Sequence, residues 1–309
     1  MERFGARLQQ ATGRRGPLCV GIDPHPSLLG AWGLPDDACG LAAFCETVVD
    51  ALAEEVAVLK PQSAFFERHG AAGIAVLEQT VRAARSAGAI VLLDVKRGDI
   101  GSTAQAYADA YLLAAAPLSV DAITVNPYLG FESLRPFLDT AREHGGGVFV
   151  LGLTSNPAEG TGLQHARVAG ADSGTGDPST GNPSTGDPST GDPSISAAAA
   201  VLASVRAENA VAGAAVGSVG VVVGATLSEV DLASAGIGGA GLDVGGPVLA
   251  PGLGAQGGTA ADVSRIFGSV IERVLPSTSR DVLSAGPDPA ALRSAALWQR
   301  DVLLEAFRV

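Results

Sequence analysis

Short apolar, β-branched runs recur along the chain, each ending in polar or glycine positions and each followed by a longer stretch with helical periodicity. The runs predict strands at Leu18–Ile22, Val56–Lys60, Ile90–Lys96, Ala122–Asn126, Val148–Leu153, Val219–Gly224, Val248–Pro251 and Ser269–Val274. The stretches between them predict helices over Leu41–Leu52, Gly73–Ser86, Thr103–Ala115, Ser133–Glu143 and Ser196–Ala207. A final helix, Pro289–Phe307, opens on a proline, whose missing N–H costs nothing in a first turn. Eight strands alternating with helices predict a single-domain α/β fold over residues 1–309, a (β/α)8 TIM barrel. Functional groups of such a barrel gather where the strands run out into the following loops.

One segment breaks this rhythm. Gly176 to Ser194 reads GDPST-GNPST-GDPST-GDPS and offers no apolar side chain for burial. Such a low-complexity tract predicts a disordered surface insertion at about residues 170–195, between strands five and six. The charge-free stretch Asn209–Ser228 could suggest a membrane span, but four glycines divide it into a helix end, a turn and a strand.

Composition narrows the function classes. The 309 residues carry a formal net charge of −12, which disfavours binding to nucleic acid or to an anionic membrane. No apolar run long enough for a signal-peptide core precedes Leu18, so a cytoplasmic protein is expected. Cys19, Cys39 and Cys45 have neither disulfide-framework nor zinc-site spacing and read as small buried apolar residues. The four histidines read as ordinary loop or surface residues, and Trp32 and Trp298 as packing residues.

The basic residues are 18 arginines and only two lysines. Wherever a solvated positive charge suffices, this chain uses arginine, which draws attention to Lys60 and Lys96 at the C-terminal ends of strands two and three. Arginine cannot give up its proton, whereas an ammonium is compact and can. Asp94 and Lys96 are two apart on a strand and share a face, and Asp99 follows in the next turn. With Lys60 they form a potential alternating array of two ammoniums and two carboxylates. A structural salt-bridge network is the other reading of these four charges. A lysine between carboxylates stays charged, which suits proton donation to a carbanion and not Schiff-base attack.

After strand seven, Gly252-x-Gly254-x-x-Gly257 matches a dinucleotide fingerprint formally, but it lies far from any first βαβ unit. In a barrel, a glycine-rich turn after strand seven, with Arg280 after strand eight, suits a phosphate instead.

These pieces together resemble the orotidine 5′-phosphate decarboxylase family, in its longer bacterial branch (type 2). The matching segments are CVGIDPH at Cys19–His25, LKPQSAFFERHG at Leu59–Gly70, LLDVKRGDIGST at Leu92–Thr103 and TVNPYLG at Thr124–Gly130. They continue with LTSNP at Leu153–Pro157, PGLGAQGG at Pro251–Gly258 and the pair Ser279–Arg280, in order from about residue 17 to about 286. The resemblance implies decarboxylation of orotidine 5′-monophosphate to UMP and CO2, the last step of de novo UMP synthesis, with no cofactor and no metal. It implies that Lys96 protonates C6, that Asp94 faces the departing carboxylate, and that Lys60 bridges Asp94 and the ribose. It further implies that Asp23 meets the ribose hydroxyls and that Ser155 reads the pyrimidine edge. Gln256 would link base and phosphate, while Gly257, Gly258 and Arg280 would hold the phosphate. Asp99 and Thr103 would reach into the partner's site of a homodimer. Two other readings remain at this point: a magnesium-dependent sugar-phosphate decarboxylase or aldolase of a related barrel family, and a non-catalytic phosphometabolite-binding barrel.

Overall fold

The computed structural model describes residues 2–155, 162–168 and 195–308. Its centre is a closed, all-parallel, eight-stranded barrel. The strands are β1 (Cys19–Ile22), β2 (Val58–Pro61), β3 (Ile90–Arg97), β4 (Ala122–Val125), β5 (Gly147–Leu153), β6 (Val219–Val223), β7 (Val248–Pro251) and β8 (Val274–Thr278). Each pairs with its sequence neighbours, and β8 closes on β1 through Cys19 opposite Ser277 and Val20 opposite Thr278. The TIM-barrel expectation therefore holds, and the strands are buried on both faces, as parallel sheets covered by helices must be.

Two apolar layers hold the barrel. The outer layer lies between strands and helices and takes most of the leucine, valine and phenylalanine side chains. The inner layer fills the barrel itself with Cys19, Val58, Ile90, Leu92, Ala122, Phe149, Val222, Leu249 and Leu275, at least one from every strand. Phe4 and Leu8 complete that inner layer from helix Phe4–Arg15, with the Phe4 ring edge-on to Phe149 at 6.0 Å. The pattern of hydrophobic positions does not announce this helix, because its few apolar side chains plug the bottom of the barrel while the remainder of the helix is polar.

The structure corrects several expectations. The eighth strand is not Ser269–Val274; that run folds as a 3-10 turn, Gly268–Arg273, and the strand follows it at Val274–Thr278. Pro276 and the hydroxyl residues after it disguise this strand, since a proline within a run argues against a strand. Helix Ala38–Leu52 starts earlier than expected because the Asp37 carboxylate accepts the N–H groups of Cys39 and Gly40. Cys39 is exposed in its first turn, so only Cys19 and Cys45 are buried. Helix Ala197–Ala212 runs beyond Ala207 because the buried Asn209 side chain ties its last turn to the backbone of Val219 and Val244. Trp32 packs in the core against Phe44, but Trp298 stands exposed on helix Pro289–Ala306. The GDPST tract lies outside the described residues. Among the described residues, no helix is long and apolar enough to cross a membrane.

Candidate active site

The C-terminal mouth of the barrel assembles a chain of charges from three adjacent strands. Lys60 sits on β2, Asp94 and Lys96 on β3, and Thr124 on β4. Lys96 Nζ lies 2.7 Å from Asp94 Oδ1, and Lys60 Nζ lies 3.4 Å from Asp94 Oδ2. Lys60 and Asp94 are almost fully enclosed, whereas the Lys96 side chain is 46 % exposed. The Lys96 ammonium is thus the member of this group that faces the open mouth.

Electrostatics fix the protonation states. Burial alone would raise the Asp94 carboxyl, but the ammoniums of Lys60 and Lys96, with hydrogen bonds from Lys96 and Thr124, outweigh it and hold the group down to about 2. Burial likewise opposes the Lys60 ammonium, yet Asp94 and then Asp23 more than compensate and move its pKa upward. Beneath them the Cys19 thiol is pushed up to about 11, chiefly by burial, and stays neutral. This floor is apolar and buried, so the charges above it interact strongly.

Two features of the site were invisible to sequence reasoning. The first is Thr124, 1 % exposed, whose hydroxyl donates to Asp94 Oδ1 at 2.7 Å and accepts the backbone N–H of Lys96 at 2.9 Å. One side chain thereby orients both the carboxylate and the lysine's backbone. The second is the backbone of Lys96 itself, at φ +45°, the one non-glycine residue in the left-handed region among the described residues. The β3–β4 register shifts between Leu93 and Arg97, so the strand kinks where it presents the lysine. A left-handed non-glycine residue costs about 1–3 kcal/mol and persists only where its surroundings over-determine it. The Thr124 bond is one such constraint.

Other expected residues fall around this centre. Asp23 follows β1, with Oδ1 buried and without a hydrogen-bond partner. A methyl group on Gly21 would stand 3.0 Å from both Asp23 Oδ2 and Ser279 Cβ, so only glycine lets β1 and β8 bring those two side chains so close. Thr278 Oγ1 and Ser279 Oγ are also buried and unpartnered. Unpaired buried polar atoms are costly. All three lie at the C-terminal ends of β1 and β8. Ser155 follows β5 and lies beside Gly224 at the end of β6.

The glycine-rich turn after β7 folds as expected and lies next to the end of β8. Arg280 Nη2 reaches to 3.5 Å from the Ala255 carbonyl oxygen. Gly254 adopts φ +78°, and a Cβ there would meet Asp281 Oδ2 at 1.9 Å, so the turn requires glycine. Gln256 and Gly257 are exposed on its outer edge. The N–H of Gly257 donates to Gly254 and that of Gly258 to Gly252, bonds that shape the turn. The N–H groups of Ala255 and Gln256, in contrast, have no acceptor among the described residues.

Of the expected four-member charge array, three members come together, Lys60, Asp94 and Lys96. Asp99 lies past the turn at Gly98, where its carboxylate accepts the Ile100 N–H, and it makes no ion pair among the described residues. Thr103 is exposed on the first turn of helix Gly101–Leu112. Neither touches Lys96 of its own chain.

Comparison with known proteins accords with this geometry. The family model described as orotidine 5′-phosphate decarboxylase / HUMPS matches residues 16–173. The orotidine 5′-phosphate decarboxylase of Salinispora arenicola is 55 % identical over 296 residues, covering 96 % of this chain and 95 % of the relative. That of Streptomyces coelicolor is 54 % identical over the same length and the same shares of both chains. A crystal structure of a candidate orotidine 5′-phosphate decarboxylase from Streptomyces avermitilis superposes with a TM-score of 0.87 at 51 % identity, covering 100 % of this chain and 97 % of that one. The Leishmania donovani OMP decarboxylase structure gives 0.71 at 29 % identity, covering 99 % of this chain and 100 % of that one. With its strand-end chemistry and its full-length relatives in agreement, this chain belongs to the orotidine 5′-phosphate decarboxylase / HUMPS family.

Proposed function

We infer that the protein decarboxylates orotidine 5′-monophosphate to UMP and CO2, the closing step of pyrimidine nucleotide synthesis. The observation that carries this reading is the Lys60–Asp94–Lys96 chain at the mouth, in a protein whose full-length relatives bear that enzyme's name. Carboxylate loss breaks the bond to C6 and leaves its electron pair on that carbon. Lys96, an ammonium held against Asp94 yet open to the mouth, then gives its proton to C6 and recovers one from water. Asp94 remains anionic throughout, because both lysines stabilise its charged form. It faces the departing carboxylate and orients Lys96. Lysine suits this role because it combines a transferable proton with a small head group.

The remaining assignments are those that the family resemblance implies. Asp23, with its unpartnered carboxylate oxygen, meets the ribose hydroxyls, and Lys60 bridges them to Asp94. Ser155 reads the base edge and Gln256 spans base and phosphate. The turn at Gly257–Gly258 and the Arg280 guanidinium hold the phosphate. Holding that remote group tightly lets binding energy support closure over the base. The reaction as written needs neither cofactor nor metal.

A homodimer with shared sites completes the proposal. Asp99 and Thr103 lie away from their own chain's Lys96, and three exposed apolar side chains flank them on the same rim: Ile100, Tyr128 and Leu129. Such a patch supports an association surface. A cytoplasmic location fits a biosynthetic enzyme of this kind. Loss of orotidylate absorbance on adding purified protein, unchanged by a chelator, is the expected result. Turnover of a sugar phosphate that a chelator abolishes would favour the magnesium-dependent branch of related barrels instead, and UMP binding without turnover would make this a binding protein.

A further inference from the structure

The opposite, N-terminal end of the barrel carries a second concentration of charge, which decarboxylation does not use. A cleft of about 780 Å³ opens there between helix Phe4–Arg15, helix Gly70–Ser86 and the segment before β4. Arg7, Arg14, Arg15, Arg82 and Arg85 line it, against only two carboxylates, Glu2 and Asp121. The cleft is therefore net positive in a chain whose formal charge is −12.

Three of these guanidiniums are fixed in place. Arg15 donates to the carbonyls of Ala53, Val56 and Gly88 at 3.0–3.3 Å. Arg7 donates to Asp121 Oδ1 at 2.6 Å and to the Gly145 carbonyl at 3.0 Å. Arg85 Nε lies 3.4 Å from Asp121 Oδ2, and its Nη1 donates to the Ser119 carbonyl at 3.0 Å. Carbonyl partners orient a guanidinium without cancelling its charge, and the single carboxylate of Asp121 is shared between two of them. Arg14 and Arg82 are exposed and have no ion-pair or hydrogen-bond partner among the described residues. Like charges are not gathered in one concavity for stability, since their mutual repulsion opposes folding. A fixed row of cations with two free arms is the arrangement that grips an oxyanion, because guanidinium presents paired donors to oxygen pairs.

We propose that this cleft binds a small, multiply charged oxyanion of the di- or triphosphate type, at the end of the barrel opposite the catalytic mouth. Arg7, Arg15 and Arg85 form its floor, and Arg14 and Arg82 close on the ligand. The site is joined to the chemistry by a hydrogen bond and one strand: Asp121 accepts the Val91 N–H near the start of β3, the strand that carries Asp94 and Lys96 at its other end.

Titration calorimetry with sodium triphosphate, at fixed ionic strength and with saturating UMP to fill the mouth, tests the site. One equivalent per chain is expected to bind. Arg14→Ser and Arg82→Ser are each expected to weaken it by about tenfold, as the loss of one charge-assisted contact does. Both variants retain wild-type kcat and KM for decarboxylation, because both residues are exposed and remote from the mouth. The comparison of variants with wild type identifies the cleft whatever occupies the mouth, so its outcome is independent of the assigned reaction. Absence of triphosphate binding, binding that the double variant Arg14→Ser/Arg82→Ser leaves intact, or a change of oligomeric state in that variant with unaltered binding would each overturn the proposal.

Discussion

Two buried aspartates, one near each end of the barrel, are each held between two cations. Asp94 at the C-terminal mouth lies between Lys60 and Lys96, and Asp121 at the N-terminal end lies between Arg7 and Arg85. Each also takes a hydrogen bond that locks its orientation, from the Thr124 hydroxyl in one case and the Val91 N–H in the other. The difference is in the cations. Guanidiniums are permanent charges that also bond backbone carbonyls, so the lower cluster ties elements together. Ammoniums can part with a proton, and the only two lysines of the chain are both in the upper cluster. The same electrostatic motif is thus built from permanent charges at one end and, at the other, from ammoniums that the proposed mechanism uses as a proton source.

Subunit mixing gives the largest contrast between the two clusters. Lys96→Ala and Asp99→Ala are each expected to lose about 10²–10⁴-fold in turnover, the usual range for a missing acid or its partner. If Asp99 serves the neighbouring subunit, half of the dimers in an equal mixture are mixed, and each of those has one intact site. Activity should recover to about a quarter of wild type. Recovery no greater than the parents' average, with subunit exchange confirmed, would assign Asp99 to its own chain.

A smaller effect is expected at Thr124. Thr124→Val keeps the shape but removes both bonds, and its kcat should fall by about 30-fold, the value of two buried hydrogen bonds at about 1 kcal/mol each, with KM little changed. Thr124→Ser should restore most of the loss. Equal loss in both variants would mean that the methyl group, and not the hydroxyl, is what the site needs.

At the other end the same type of change should spare catalysis. Asp121→Asn removes the shared charge but leaves Arg7 and Arg85 partly in solvent, so about 1–3 kcal/mol of stability is expected to be lost, measured by denaturant unfolding, with kcat/KM unchanged. A catalytic defect matching that of Asp94→Asn would erase the distinction between the clusters.

The smallest expected response is to pH. The Asp94 carboxyl is lowered to about 2, so its contribution to stability is complete above its ordinary value near 4 and is lost as the pH falls from there towards 2. The Lys60 pKa is raised, so its contribution is complete below about pH 10 and is lost only above that. Stability from this pair should be flat between about pH 5 and 9. A transition inside that window that Asp94→Asn removes would contradict the assigned charge states.

Much of this was legible in the chain because it depends on residue type and period. Alternating strands and helices gave the barrel, and the scarcity of lysine singled out Lys60 and Lys96. What stayed hidden depends on three-dimensional packing. Helix Phe4–Arg15 looks polar because few of its side chains, chiefly Phe4 and Leu8, enter the barrel. Strand β8 is masked by Pro276. No periodicity reports a torsion angle, so the left-handed Lys96 could not be foreseen. Thr124 looks like any β-strand threonine until the neighbouring strand puts Asp94 against its hydroxyl. The pairing of Asp99 with Lys96 within one chain was the natural inference from spacing, but the turn at Gly98 carries the carboxylate away.

In the proposed mechanism Lys96 acts through its proton and not merely through its charge. Lys96→Arg keeps the charge and removes the transferable proton, so its decarboxylation rate and its UMP affinity, assayed side by side, separate the two roles. The expected result is turnover reduced by at least about 10²-fold, with a much smaller loss of UMP affinity. Decarboxylation within about tenfold of wild type would show that a cation beside Asp94 is sufficient and that the proton comes from elsewhere.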